Sequence, residues 1–512
     1  MRRTQVIVIG AGVGGLTAAA ELAAGGCAVT VLERTAQPGG KVRQVEIDEC
    51  RLDVGPTVLT MRWVFDELFA ALGSDLNDHL RLHPASILAR HAWDDRGSLD
   101  LYADRARTID AIGRFAGAGE AHRYAQFCAH AAEIFTTLDA PFMRVGNPDM
   151  LGLISHRHFS GVQRLTRIAA FSTLWQALGA HFNDQRLRQL FARYATYCGS
   201  SPFSAPGTLM LIAHAELAGV WCAEGGIYGL ARALVALGRQ HGVEHRYCCD
   251  VREILLNRRQ VTGVMLADGT QLGADIVICN ADIAAVSAGL FGQAARRAVP
   301  AVDVRQRSLS ALTLALHART SGFPLAHHSV FFGDDYAGEF ADVFSRRTLP
   351  AKPSVYVCAQ DRGEHASPPA AGEPERLFCI INAPANGDTR QFSRHDIDAC
   401  REAAIAQLAR CGLTLDYARE QLVTTTPRDF DKLFPGTGGG LYGSATHGWR
   451  SSFSRPGVRS RIPGLYLTGG SVHPGAGLPM VTLSGRLAAA SALEDLRSGR
   501  GRSRVTVPHA GA

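Results

Sequence analysis

Hydrophobic and polar positions follow different rhythms along the chain, and each rhythm predicts a different element. Val6–Ile9 is an unbroken aliphatic run, the pattern of a strand covered on both faces. Glycines follow, then an alanine- and leucine-rich stretch that predicts a helix to about Ala24. Val29–Leu32 predicts the next strand, so the chain opens as a βαβ unit. From about Leu80 to Trp221 the pattern is mainly helical, as in Gln185–Tyr197, where Leu and Phe recur at helical spacing. Ile227–Leu237 predicts a helix, and Val251–Leu256, Val261–Leu266 and Ile276–Cys279 predict strands, with Asp268-Gly269 as a turn. Beyond Val304 period-two alternation appears: Leu312, Leu314 and Leu316 are separated by Thr313 and Ala315, and Ser354–Ala359 is similar. Gly363–Glu375, rich in Pro, Ala and Glu, predicts a surface loop, and Gly464–Leu496 predicts a strand, a glycine loop and a helix.

Composition narrows the possibilities. The 512 residues are 46% hydrophobic and 20% charged, an ordinary globular balance that excludes global disorder. The net charge of +6 is dispersed, so no nucleic-acid partner is expected. The 12 cysteines form no CxxC pair and no metal-type Cys/His spacing, which predicts buried thiols in a reducing, cytoplasmic setting. No apolar run reaches the roughly 18 residues that suggest a membrane-spanning helix, so any membrane contact is expected to be peripheral. A candidate docking stripe is Leu165, Ile168, Phe171, Trp175 and Leu178, flanked by Arg164 and Arg167; an internal core helix is the other reading and the commoner use of such a stripe.

The 54 glycines gather toward the two ends. Gly10-x-Gly12-x-Gly14-Gly15 follows the first strand and opens the first helix, and Glu33 closes the second strand. Gly10 permits a tight turn, Gly12 lets backbone approach a pyrophosphate, and Gly15 lets the helix pack on the strand. The helix N-terminus offers free N–H groups and a positive dipole to phosphate. Glu33 suits a ribose hydroxyl and would repel a 2′-phosphate, which disfavours NADP.

Further segments carry a resemblance. Pro38-Gly39-Gly40-Lys41 and Asp53-Val54-Gly55-Pro56-Thr57 follow the acid, and Gly464–Gly470 and His473–Met480 lie near the other end. These resemble the FAD-binding segments of the glutathione-reductase-type flavoproteins, in the branch with amine oxidases and carotenoid desaturases. Gly55–Phe69, Arg193–Pro206, Gly439–Trp449 and the His473–Met480 loop resemble the bacterial carotenoid desaturase family, most closely its hydroxyneurosporene (methoxyneurosporene) desaturase branch, and the likeness covers nearly the whole chain. The resemblance implies FAD held by Gly10, Gly12, Gly14, Gly15, Glu33 and Arg34, by Gly39, Gly40 and Lys41, and by Gly55, Pro56 and Thr57. From later in the chain it adds Val251, whose backbone meets the adenine, then Gly469 and Gly470, and Leu478, Pro479, Met480 and Val481 at the start of the last helix.

The implied fold is α/β: a Rossmann-type FAD domain, like those of glutathione reductase and the amine oxidases, assembled from 1–79, 222–300 and 455–497. It is interrupted by a mainly helical, substrate- or membrane-facing insertion at 80–221 and a mixed β-sheet substrate domain at 301–454, and followed by a disordered tail at 498–512. The implied activity is C-3,4 desaturation of acyclic 1-hydroxycarotenoids. A carotenoid would be the substrate, with quinone or oxygen as final electron acceptor, beside the inner or photosynthetic membrane. Phytoene desaturase, carotene isomerase, amine oxidase and a non-catalytic isoprenoid escort protein are the other readings on this fold, and the oligomeric state stays open.

Such a reaction removes two electrons and two protons from a C–C bond beside a polyene, so the protein's main task is to hold that bond in a dry tunnel. Asp53 and Glu224 are candidate bases, with a structural role in loop or cofactor binding as the alternative for each. His473 suits a loop-ordering or cofactor-edge role as well as a catalytic one. No metal site is expected: His156/His158 and His327/His328 lack an HExxH helix or a partner carboxylate at ligand spacing. Neither a GxSxG elbow nor a GxxxxGK[ST] loop occurs. Gly436–Gly440 is expected to pass close beside flavin or substrate.

Overall fold

The computed structural model describes residues 2–94, 97–146, 169, 171–363, 369–370, 372–449, 451 and 454–498. The aliphatic runs assemble into a five-stranded sheet in the order Glu244–Arg246, Ala28–Leu32, Gln5–Ile9, Ile276–Cys279, Leu465–Leu467, parallel throughout. Gln5–Ile9 is central, with Ile9 opposite Leu32 on one side and Cys279 on the other. A parallel sheet needs cover on both faces, which explains the runs of Val and Ile without polar alternation. The helix Val13–Ala24 packs beside Tyr228–Gln240 and against the last helix, Leu478–Arg497. Three distant parts of the chain therefore share one core. The strands Val251–Asn257, Gln260–Leu266 and Gln271–Gly273 form an antiparallel sheet of their own, in register across the Asp268-Gly269 turn.

The second unit is an eight-stranded sheet. Ser310–Gly322, Glu375–Ala383, Val355–Ala359 and His328–Phe332 run antiparallel to one another in that order. Here the structure departs from the expected helical segment at 80–221, which begins with strands. Leu82–Pro84 pairs with Val220–Ala223, and Ile87–Trp93 and Gly97–Tyr102 form a hairpin that extends the large sheet, with Ile87–Trp93 parallel to His328–Phe332. Helices follow, including Arg105–Ala116, Ala118–Leu138, Leu174–His181, Gln185–Ala192 and Leu211–Leu217. Phe127, Phe182 and Phe191 cluster between them with ring centroids 4.7–5.2 Å apart.

Of the two readings of the apolar stripe, the internal one holds for Trp175 and Leu178. Leu178 is fully buried, and Trp175 packs against Phe203 and Tyr336 at 5.1 and 6.1 Å, so both belong to the interior of this unit. Phe171 is 52% exposed and stacks edge-on against Trp449. Leu165, Ile168, Arg164 and Arg167 lie outside the described residues, as does the tail beyond Ser498. Among the described residues, no helix is long and apolar enough to cross a membrane.

Candidate active site

The strands of the parallel sheet end at Ile9, Leu32, Cys279 and Leu467, and the residues just beyond them converge, as ligand sites do at the carboxyl edge of such sheets. Gly12 caps the first helix; no side chain among the described residues bonds to its first-turn N–H groups, and Gly12 and Val13 line a cavity. Buried backbone donors left uncapped at a helix N-terminus suit an anion. The glycines divide the work. A Cβ on Gly15 would sit 2.3 Å from the Gly10 carbonyl oxygen, so Gly15 fixes the helix on the strand. A Cβ on Gly14 would meet the Thr468 hydroxyl at 2.7 Å and Val481 at 3.1 Å. Gly14 and Gly15 therefore pack against protein and do not line the cavity, whereas Gly10 and Gly12 do.

Glu33 is buried and also lines the cavity. Its Oε2 accepts the Ala11 N–H and its Oε1 the Thr35 N–H, both at 2.8 Å, so it braces the glycine turn from the ribose side. Arg34 is exposed at the same rim and donates to the Leu433 carbonyl at 2.5 Å. The Gly39 N–H donates to the Ala11 carbonyl at 2.8 Å, which lays Gly39, Gly40 and Lys41 along the wall. The Lys41 ammonium donates to the Leu441 carbonyl, and burial pulls its pKa down. Gly55, Pro56, Thr57 and Val251 line the cavity, as do Gly469, Gly470, Leu478, Pro479, Met480 and Val481. The last helix begins there at Gly477, also without a side-chain cap.

The cavity is about 1130 Å³ and continues from these glycine loops into the second unit. Its far wall is built from Leu138, Phe142, Leu209, Val330, Phe332 and Phe378. On that wall stands a polar group: Arg193, Tyr197 and Glu216. The Tyr197 hydroxyl donates to Glu216 Oε1 at 2.7 Å, and Tyr194, behind the wall, donates to Oε2 at 2.6 Å. Arg193 Nη2 lies 3.4 Å from Glu216 Oε1, and its Nε donates to His91 Nε2 at 3.2 Å. Burial opposes the Arg193 charge, but Tyr197, Glu216 and Tyr194 outweigh it and hold the guanidinium protonated.

The candidate bases are placed elsewhere. Asp53 does not line the cavity; its Oδ2 accepts the Tyr228 N–H at 3.2 Å and its Oδ1 the Gln44 amide at 2.8 Å, and burial raises its pKa. It ties the Gly55 turn to the helix Tyr228–Gln240. Glu224 is exposed, 3.4 Å from His83, and also off the cavity wall. Gly436–Gly440 does not line the cavity either: Gly439 packs on the Pro427 carbonyl and Gly438 on Arg307, while the adjoining Leu441 and Tyr442 face the void. His473 is fully buried; its Nε2–H donates to the Phe142 carbonyl at 2.7 Å, and burial lowers its pKa to about 4. It is a neutral brace between the last loop and the helical unit. His327 and His328 lie near Cys358, with ligand atoms of all three within 4.8 Å of one another; His327 Nδ1 bonds the Arg362 carbonyl and His328 Nδ1 the Tyr356 hydroxyl, which leaves the Nε2 of each. His156 and His158 lie outside the described residues.

Asn280 and Glu216 were not singled out from sequence. Asn280 lines the cavity, and its amide would lie 2.6 Å from a Cβ on Gly12. Its signal was its position directly after the buried strand Ile276–Cys279. Glu216 had a fainter one, a lone acid in the apolar stretch Leu211–Leu217.

Two glycine-bearing ends thus close over one cavity with uncapped helix N-termini, and the chain belongs to the flavin-containing amine oxidoreductase family, whose pattern it matches over residues 13–493. It is an FAD-dependent oxidoreductase. It is 49% identical to hydroxyneurosporene desaturase of Rubrivivax gelatinosus over 99% of this chain and 96% of that one. It is 29% identical to 1-hydroxycarotenoid 3,4-desaturase of Flavobacterium sp. over 95% and 98% of the two chains. A solved structure of putrescine oxidase with putrescine bound shares the fold, with a TM-score of 0.58 at 14% identity over 97% of this chain and 99% of that one.

Proposed function

We propose that this protein is a carotenoid desaturase that introduces a double bond at C-3,4 of acyclic 1-hydroxycarotenoids. The observation that carries the reading is the single cavity running from the phosphate-type glycine turn into an apolar chamber. Its volume of about 1130 Å³ exceeds the roughly 300–1,000 Å³ of ordinary small-ligand pockets, as a site for both a dinucleotide and a long hydrocarbon requires. The identity to hydroxyneurosporene desaturase supports the substrate class.

In this reading Glu33 holds the ribose, the Gly10–Val13 turn receives the diphosphate, and the loop from Gly469 to Val481 and the start of the last helix face the flavin ring. When bound, FAD supplies a two-electron hydride acceptor. The protein positions and dries the reacting bond. The remaining proton leaves from a carbon beside a conjugated cation and needs only a weak acceptor, so neither Asp53 nor Glu224 is required to touch the substrate. At roughly 0.8 kcal/mol per buried CH₂-sized group, a forty-carbon chain would lose tens of kcal/mol on entering water. The substrate therefore comes from a membrane that the protein contacts peripherally, and quinone or oxygen takes the electrons onward.

Expression in bacteria that accumulate hydroxyneurosporene tests this. The expected result is a pigment spectrum shifted to longer wavelength by one added conjugated double bond. An unshifted spectrum in cells containing folded, flavin-loaded protein would overturn the assignment.

A further inference from the structure

A chamber that takes a hydrocarbon has no use for a buried ion pair on its wall, because desolvating two charges is costly. Yet Arg193 and Glu216 are 6% and 3% exposed and both line the cavity, together with Tyr197. Their bonding is incomplete. A guanidinium carries five N–H donors, and among the described residues Arg193 directs its donors to His91, Tyr197, and Glu216 only. Glu216 receives two tyrosine hydroxyls and Arg193, short of the roughly four lone-pair sites of a carboxylate. The group thus keeps spare donors on Arg193 and a spare acceptor site on Glu216 Oε2, already desolvated, which together complement an alcohol.

Its position fits as well. Glu216 lies on the helix Leu211–Leu217, whose Ala215 shares a buried cluster with Met61, Met143 and Leu483, against which Met480 packs. The helix that carries Glu216 therefore packs near the start of the last helix. A hydroxyl on C-1 is only two or three C–C bonds, roughly 4 Å, from the C-3,4 bond, so whatever reads the hydroxyl must stand close to the reacting end of the chamber.

We propose that Arg193, Tyr197 and Glu216 form the hydroxyl-reading subsite: the substrate's terminal hydroxyl donates to Glu216 and accepts from Arg193, and this contact selects hydroxylated carotenoids and sets which bond faces the flavin. The inference rests on the carotenoid desaturase reading above.

The test is the ratio of kcat/KM for 1-hydroxyneurosporene to that for neurosporene, which lacks the hydroxyl, measured with flavin-loaded protein in detergent micelles. In Glu216→Gln the ratio is expected to fall roughly 10- to 100-fold, the worth of one hydrogen bond to a charged group. If Glu216→Gln does not fold, the Arg193→Met/Glu216→Leu double variant replaces the pair with apolar side chains and is expected to bring the two substrates to similar kcat/KM. A wild-type ratio retained in the variant that folds, or an equal loss on both substrates, overturns the subsite. Wild-type protein that converts neither carotenoid fails at the level of the proposed function instead.

Discussion

Gly15→Ala protein is expected to purify with little flavin and to unfold more readily than the wild type. The added methyl would sit 2.3 Å from the Gly10 carbonyl oxygen and 3.1 Å from Asn280 Cβ, and a backbone oxygen cannot rotate away as a side chain can. The helix Val13–Ala24 must lift from the strand Gln5–Ile9, and its uncapped N-terminus moves with it. Overpacking of this kind costs about 1–3 kcal/mol. Because the displaced turn is the one that receives the phosphates, the flavin affinity is expected to fall roughly tenfold or more. Flavin released on denaturation, measured per mole of protein, checks this. Wild-type flavin content in Gly15→Ala would show that the close helix-to-strand contact is not what forms the cradle.

The second large effect is expected at Glu216. Replacement by alanine leaves the Arg193 guanidinium buried without its counter-ion and removes the acceptor of both the Tyr194 and Tyr197 hydroxyls. Breaking a buried pair from one side costs about 3–5 kcal/mol, because the remaining charge is uncompensated. Urea unfolding of Glu216→Ala is expected to show a loss of that size. Removing both partners in Arg193→Met/Glu216→Leu is expected to cost less than Glu216→Ala alone, since no buried charge remains. A loss below about 1 kcal/mol in Glu216→Ala would be the behaviour of a solvent-exposed pair and would contradict the burial of this group.

The parts of the fold set by local pattern were legible in the sequence. The run Val6–Ile9, the glycine turn, the helix to Ala24 and the acid Glu33 all stand in the structure, because a buried parallel strand and a tight turn leave strong local marks. The hairpin Ile87–Trp93 with Gly97–Tyr102 was not legible. Its place is fixed by parallel pairing to His328–Phe332, far along the chain, and neighbouring residues carry no trace of such a partner. Trp175 and Leu178 left two readings open for a related reason: an apolar helical stripe looks the same whether it faces lipid or the aromatic interior formed with Phe203 and Tyr336. The site followed the same division. Its glycines and Glu33 sit in recognisable order, whereas Asp53 sits in a motif and bonds the Tyr228 backbone, and Glu216 bonds Arg193 and Tyr197, which only folding brings to it.

The central claim is that one cavity holds flavin and a long polyene together, and anaerobic mixing tests it most directly. Purified, flavin-loaded protein is combined with 1-hydroxyneurosporene in detergent micelles, and the flavin and carotenoid absorbance are followed together. The account predicts that the oxidised flavin band bleaches as the carotenoid bands move to longer wavelength, in equal molar amounts. A flavin band that stays oxidised with the carotenoid, yet bleaches on addition of a soluble amine, would contradict it.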